Sequence, residues 1–578
     1  MNKITNKYFY LLLLILVLVI PYITLRYQVQ VNYVINLSSY LKFLMGAIYI
    51  PLFFLLILNL FKNNIYRYLV IFSYNFLYFG LILGISIYYK YFLIIPYYSA
   101  IFQMGNLPQI TNQIFAQLIG FQELFFIFLF IISVIFSIIV SKHKFLNSLK
   151  IVTALIFVLI IFITQTVFIA YRAHNGFKNI IYYVNCDSTN AFAMYGFWPF
   201  YTSQIIVDLR KPVVTKKNPV SYYKHKLNIS NYQSKKFDFK NYNIIMIQVE
   251  SLDSKVIDYK VNNQFIMPFL HAFKSKSVYF NNIYPINGGG YSSDSELSIF
   301  TSLIPLNSHS GIMSADYKRI KPLNKELAKY NYYSAVMHGY AGTFFNRTWF
   351  FKFLGINDFF EQASYSGLAK GWYSKDIEFF KQSIPKIKKF QFPFFAYLIT
   401  MQSHGPFENH DTANNLDLKN INNSLLKNYF MSINEVDKAL AIFINGLKKE
   451  GLLDKSIVII FGDHDSHIED TIYNPKSVLK NTIPLIIYQA KLLPSVNNKI
   501  GSQIDFGPTV LNLLSIPEPK NAWLGTSLFY AGKGKALFQN LSVIENINGK
   551  ITLKKETNLK PLLDYSFSIF DFSTIPGS

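Results

Sequence analysis

Five short segments of this chain carry residues able to do chemistry, and each follows an apolar run. The sharpest is 456–467, SIVIIFGDHDSH, an almost wholly apolar stretch that ends in Gly462, Asp463 and His464. Gly462 frees the backbone, and one tight turn then presents an oxygen and an imidazole. That mixed donor set suits a divalent transition ion such as Mn²⁺ or Zn²⁺. A buried strand has no evident need of Gly-Asp-His at its end, which favours a metal site over a structural turn. Asp465 and His467 either extend that site or face solvent. The run 243–249, NIIMIQV, ends in Glu250. In open α/β sheets ligands bind beyond the carboxyl ends of strands, so this carboxylate stands where chemistry is usually placed; alone it also reads as a solvated strand end.

The third segment is NGGGYSSDSELSIFTSLIP. Gly288, Gly289 and Gly290 let the backbone turn sharply and approach a ligand. Ser293 and Glu296 have capping-box spacing ahead of an apolar helix reaching Leu303. Ser292 then sits just before a helix N-terminus, where free amides and the dipole favour an anion such as phosphate. An ordinary glycine turn with a capped helix accounts for the same residues. Next, the run 332–337 ends in His338-Gly339, and Phe345-Asn346-Arg347 follows seven residues beyond His338. Arg347 can hold a phosphate bidentately, whereas a lone histidine such as His338 is more often structural. The run 394–401 leads into QSHGPF, where His404 in a Gly/Pro loop suits a general acid or base or an oxyanion stabiliser. A metal beside a serine lowers the hydroxyl pKa and polarises a phosphoryl oxygen. The sum fits covalent phosphoryl or sulfuryl transfer better than acyl transfer, and no GxSxG elbow is present.

Such residues must be brought together by a sheet. From Asn241 onward, apolar runs alternate with amphipathic stretches, the pattern of an α/β fold. Strands are expected at 243–249, 277–284, 332–337, 394–401, 456–461 and 483–488, with helices at 322–329, 425–450 and 506–514. The chain of 578 residues, with a net charge of +23 and 17% aromatics, is long enough for several domains. Its one cysteine, Cys186, excludes an internal disulfide, a CxxC redox centre and a cysteine zinc site.

Residues 1–171 are a different material. Apolar stretches at 8–25, 43–60, 68–88, 124–140 and 151–171 each approach the ~20 residues a spanning helix needs. Glu123 is the only acid in residues 1–171. Lys3 and Lys7 before the first stretch resemble a signal peptide, but no small-residue cleavage site is evident and four stretches follow, so it is read as an uncleaved first span. The short segment 91–102, broken by Pro96, is read as interfacial or re-entrant. In this five-span arrangement Lys3, Lys7, Lys62, Arg67, Lys142, Lys144 and Lys150 share one side, and Arg26, Lys42 and Lys90 the other. The positive-inside rule then places the N-terminus in the cytoplasm and everything after Tyr171 outside. Residues 172–240, with the basic stretch LRKPVVTKK, form a linker, either resting on anionic headgroups or solvated. The catalytic domain is expected over 241–535 and a C-terminal extension over 536–578.

The motifs IQVESL, GGYSSDSE, HGYAGTFFNR, MQSHGPF, FGDH and IDFGPTVLNLLSIP, with MYGFWPFYTSQIIVDL in the linker, resemble those of the lipoteichoic acid synthase family, in the family's order. That family comprises membrane members of the alkaline phosphatase and sulfatase superfamily. The resemblance implies a five-span α-helical membrane domain followed by an extracytoplasmic α/β sandwich of the alkaline phosphatase/sulfatase type. It implies one Mn²⁺ or Mg²⁺ held by Glu250, Ser292, Asp463 and His464, with Ser292 as nucleophile. His338, Phe345, Arg347 and His404 fall on substrate-binding positions. Phosphatidylglycerol would be the donor, a glycan, glycolipid or growing polymer the acceptor, and no nucleic acid is involved. Two positions depart from the family: its usual threonine is Ser292 here, less rigid at χ1, and its usual tryptophan is Phe345, which lacks an indole donor.

Competing readings are a phosphoethanolamine transferase acting on lipid A or a glycan, whose relatives tend to carry disulfides that Cys186 alone cannot supply; a sulfatase, which would need a Cys/Ser-x-Pro-x-Arg sequence absent at Ser292; and a non-catalytic membrane sensor. A transporter is disfavoured because the spans hold almost no ionisable residues. The topology is testable. In a Cys186→Ser background, an impermeant thiol reagent should mark Ser221→Cys and not Ser148→Cys in intact cells. Marking of the second overturns the five-span arrangement.

Overall fold

The computed structural model describes residues 3–28, 61–96 apart from 62, 93 and 94, 119–141, isolated positions between 192 and 220, and most of 235–569. The chain forms two compact units, Met1–Arg210 with Asn307–His309, and Lys211–Leu306 with Ser310–Ser578.

In the first unit three helices are described: α1 (Lys3–Gln28), α2 (Asn64–Phe92) and α3 (Phe121–Ser141). Asn64–Lys90 and Phe121–Ser141 are long and apolar enough to cross a membrane, and α1 carries a shorter apolar stretch, Phe9–Leu25. The spans expected at 43–60 and 151–171 lie outside the described residues. Of the segment 91–102, the first two residues close α2 and 97–102 lie outside. The helices are tied by polar contacts between apolar surfaces, where packing alone gives little drive to associate. Tyr78 donates to the Leu18 carbonyl at 2.6 Å. Asn75 bridges Ser133 and Ser137 of α3. Glu123, fully buried, accepts from Ser86 at 2.7 Å and from Lys90 at 2.5 Å.

The second unit is built on one sheet of eight strands: β1 (Asn243–Val249), β2 (Val278–Ile283), β3 (Tyr333–His338), β4 (Asp358–Phe360), β5 (Phe394–Ile399), β6 (Ser456–Gly462), β7 (Ile483–Tyr488) and β8 (Ser495–Gly501). Their spatial order is β8-β2-β7-β6-β1-β5-β3-β4. Only β7 runs against the rest, pairing antiparallel with β2 and β6. Every residue of β1, β5 and β6 is buried, which explains their largely apolar sequences. Five helices matter to the site: α4 (Ser292–Thr301), α5 (Arg347–Leu354), α6 (Asp376–Ile387), α7 (Ser424–Lys449) and α8 (Phe506–Leu513).

The two faces divide by alternation along each strand. Ile245, Ile247, Ala396, Leu398, Val458 and Ile460 form a core with α6 and α7. There Phe380 stacks on Phe443 with ring centroids 4.6 Å apart. The other set faces α4 and α8: Phe300 packs on Phe395 and Tyr397, and Phe461 on Phe506. The result is a helix–sheet–helix sandwich.

All six expected strands are present, with ends shifted by no more than two residues, and the three expected helices are Leu323–Ala328, α7 and α8. Strands β4 and β8 were not anticipated; β8 reads SVNNKIG, half exposed and without a sustained apolar run. Residues 535–555 add a three-stranded antiparallel sheet whose Ala536 and Ile544 pack with Tyr284 and Ile500.

Gly462 is required by space. A Cβ there would stand 2.4 Å from the Leu252 carbonyl oxygen and 3.2 Å from Ile483. Gly462→Ala should therefore cost about 1–3 kcal/mol through overpacking. A thermal midpoint equal to wild type would contradict this close approach.

Candidate active site

Strand register sets the site. Val249 is level with Gly462, and Gln248 and His338 are both level with Ile399. Glu250, Asp463, His338 and the loop after β5 therefore emerge along one edge of the sheet. The Glu250 amide donates to Thr400 Oγ1 at 3.0 Å, and Ser403 Oγ donates to the Glu250 carbonyl at 2.6 Å. Asp463 Oδ1 accepts the Ser251 and His464 amides at 2.9 and 2.8 Å. His464 Nδ1 lies 2.7 Å from the Asp465 carbonyl oxygen and must donate to it. That fixes the tautomer and leaves Nε2 facing inward, 3.2 Å from Glu250 Oε1 and 3.3 Å from Ser292 Oγ. Ser292 Oγ in turn donates to Glu250 Oε2 at 2.9 Å.

The electrostatics of this cluster call for a cation. Burial, reinforced by the charge of Glu250, pushes Asp463 up to about 7. Burial also opposes ionisation of Glu250, but His404 and His464 outweigh it and hold the carboxyl below its usual range. Burial likewise disfavours charge on His464, yet Asp463 and Glu250 raise it to about 10. Protons thus supply the positive charge that the two carboxylates demand. One ligand atom each from Glu250, Asp463 and His464 lies within 4.8 Å of the others. With the Ser292 hydroxyl beside them, two carboxylates and an imidazole locked by its second hydrogen bond fit a single divalent ion such as Mn²⁺, Mg²⁺ or Zn²⁺.

Ser292 is the first residue of α4, and Tyr291 before it adopts φ 40°, a sparsely populated conformation for a residue with a side chain. Three polar residues that the sequence did not point to hold this loop. Asp294 accepts the Gly288 and Gly311 amides at 3.0 and 2.9 Å. Asn287 donates to the Tyr291 carbonyl at 2.6 Å. Gln503 donates to Asn287 Oδ1 at 3.0 Å and to the Asp463 carbonyl at 2.7 Å, so it joins the serine loop to the Gly-Asp-His turn. Gly289 and Gly290 lie outside the described residues. The expected capping box does not form: α4 has no side-chain cap, Ser293 Oγ lies 2.7 Å from Ser310 Oγ, and Glu296 faces Arg347. The physical reason is that Glu296 is fully buried, where a guanidinium offers it charge as well as hydrogen bonds.

Arg347, also buried, donates from Nε to both Glu296 oxygens at 3.0 Å and from Nη2 to Oε1 at 2.6 Å. Phe345, at φ 51°, places its ring 5.4 Å from the guanidinium carbon. His338 is buried with Nδ1 donating to the Ile399 carbonyl at 3.1 Å, and its Nε2 has no hydrogen-bond partner among the described residues. Burial and then Arg347 push His338 down to about 3, so Nε2 remains a neutral acceptor. His404, half-buried, has Nδ1 2.8 Å from the Gly405 carbonyl. Its loop is held by Asp376, which accepts the Met401 and Gln402 amides at 3.0 Å each. Asp465 and His467 pair with one another at 3.1 Å, outside the three-residue ligand cluster.

Residues 242–516 match the Sulfatase family. The chain is 31% identical over 314 residues to lipoteichoic acid synthase 2 of Bacillus subtilis (strain 168), a match covering 50% of this chain and 48% of that one. It is 31% identical over 347 residues to lipoteichoic acid synthase of Staphylococcus aureus (strain USA300), covering 55% and 53%. It thus spans about half the length of the curated relatives it matches. The crystal structure of the lipoteichoic acid synthase LtaP from Listeria monocytogenes shares the fold, with a TM-score of 0.52 and 23% identity over 61% of this chain and 97% of that one. Mixed sheet, flanking helices and family match define an α/β domain of the alkaline phosphatase/sulfatase superfamily. Within that superfamily the chain is similar, over about half its length, to lipoteichoic acid synthases.

The donor cluster makes a direct prediction. Asp463→Ala and His464→Ala should each lose bound manganese while Asp465→Asn keeps it, as read by elemental analysis of purified protein. Full occupancy in the first two would return Gly-Asp-His to a structural turn.

Proposed function

We propose that this chain is a membrane-bound phosphoglycerol transferase that takes glycerophosphate from phosphatidylglycerol and passes it, by way of Ser292, to a glycan or polymer acceptor. The observation that supports this most is the placement of Ser292. Its hydroxyl stands at the N-terminus of α4, within hydrogen-bond reach of both Glu250 and His464. A helix start favours the anionic phosphoryl group as it arrives. The similarity to lipoteichoic acid synthases supports glycerophosphate as the cargo.

In this reading Glu250, Ser292, Asp463 and His464 hold one Mn²⁺ or Mg²⁺, which when bound lowers the serine pKa and polarises a phosphoryl oxygen. Ser292 Oγ, having lost its proton to solvent, bonds to phosphorus as the bond from phosphorus to the diacylglycerol oxygen breaks. That oxygen leaves beside His404 and takes its proton from solvent. An acceptor hydroxyl then gives its proton to His404 Nε2 as it attacks the same phosphorus, and Ser292 departs and regains a proton by way of solvent. Arg347 answers the charge that develops on the phosphoryl oxygens; a fixed donor of this kind contributes on the order of 10²–10³ in rate. The Nε2 of His338, without a hydrogen-bond partner among the described residues, accepts from a glycerol hydroxyl. The α-helical membrane domain anchors the enzyme across the cell membrane, with the catalytic domain outside.

Ser292→Ala should abolish diacylglycerol release from phosphatidylglycerol, while Ser292→Thr stays active because only the hydroxyl and its ligand role are required. His404→Ala should slow release by roughly 10²–10³ and keep its metal. Wild-type release in Ser292→Ala would exclude covalent chemistry at this residue.

A further inference from the structure

Arg347 and Glu296 form a pair that the proposed reaction leaves unexplained. Both are buried, at 3% and 0% exposure, although burying an ion pair rarely adds stability over apolar residues of the same size. Glu296 lies on α4 one turn beyond Ser292, so the helix that presents the serine also presents this carboxylate. Arg347 opens α5, directly after the Phe344–Asn346 turn in which Phe345 takes a left-handed backbone conformation. The pair therefore joins the serine helix to the loop carrying the substrate-side residues.

The geometry of the contact selects one edge of the guanidinium. An arginine has five N–H donors, one on Nε and two on each terminal nitrogen. Glu296 takes the Nε donor and one from Nη2. What remains is the end-on fork made by Nη1 and the second hydrogen of Nη2, an edge that matches two oxygens of a phosphate. The Phe345 ring lies against the guanidinium at 5.4 Å and adds a second constraint on its plane. An arginine held this way loses little rotational freedom when an anion arrives.

We propose that Glu296 is a positioning residue: it holds the Nε side of Arg347 and thereby aims the Nη1–Nη2 fork at the phosphoryl group destined for Ser292. This deepens the proposed function and rests on it for the identity of the anion's parent lipid, but the anion subsite itself can be examined with inorganic phosphate. Glu296 acts through Arg347 and touches no reacting atom.

The test is a double-mutant cycle on the full-length, manganese-loaded protein, reading inorganic phosphate affinity by titration calorimetry. Glu296→Gln keeps the size of the side chain but replaces one of two acceptor oxygens, and should weaken phosphate binding about tenfold. Arg347→Gln should weaken it further, and the double variant should bind no worse than Arg347→Gln alone. Glu296→Asp in place of Glu296→Gln should recover part of the loss if it restores the Nε contact. Manganese content equal to wild type in each variant reports that the ligand cluster is intact. Tighter phosphate binding in Glu296→Gln would overturn positioning, because it would show that Glu296 merely mutes the arginine's charge. Unchanged affinity, fully additive losses, or a wild-type protein that binds no phosphate would overturn it as well. Failure of phosphatidylglycerol to serve as donor would appear separately, as absent diacylglycerol release with the phosphate cycle still coupled.

Discussion

Two carboxylates, Glu250 and Asp463, close neighbouring parallel strands at a point where the surrounding sheet and helices exclude water, and their mutual repulsion has to be answered by positive charge. Much of the surrounding architecture serves that end. Strand register puts the carboxylates side by side, Thr400 and Ser403 fix the backbone of Glu250, and Gly462 lets the turn pass within contact of the Leu252 carbonyl. The Asp465 carbonyl turns His464 so that its free nitrogen faces the pair. A buried cluster of this kind is costly to the fold unless a cation or protons complete it, so the site trades stability for a strong local field.

That field explains why a serine at a helix start is a credible nucleophile here. Ser292 is held by the α4 backbone, by the Asn287–Tyr291 contact and by Asp294 below it, and Gln503 ties the whole loop to the Asp463 turn. Ser292 and the Glu250–Asp463–His464 cluster are therefore parts of one hydrogen-bonded assembly. In the proposed reaction His338 and His404, both held toward the neutral form by burial, and the charged Arg347 would divide the work of binding alcohol, leaving oxygen and phosphate.

The sequence made the centre of the sheet legible because β1, β5 and β6 are buried on both faces and so are written in largely apolar residues. The same logic hid β8, whose half-exposed SVNNKIG carries neither a run nor a clean alternation. Glu250, Asp463 and His464 were visible as polar residues ending apolar runs and Ser292 as a serine between a glycine turn and a helix start, and the fold brings all four together. Glu296 was visible but misread: capping-box spacing is a local signal, while its actual partner lies 51 residues away and emerges only when α4 and α5 pack. Asp294 and Gln503 were missed for a related reason. Their partners are backbone amides and carbonyls of distant loops, and main-chain groups leave no mark in a sequence.

The central claim is that Ser292 carries the transferred group. It is tested most directly by the intact mass of manganese-loaded protein quenched during turnover with phosphatidylglycerol, followed by mapping of the modified peptide. The account predicts one added glycerophosphoryl group, located on Ser292 and absent from Ser292→Ala. A phosphoethanolamine adduct from mixed lipids, or a glycerophosphoryl group on any other residue, would contradict it.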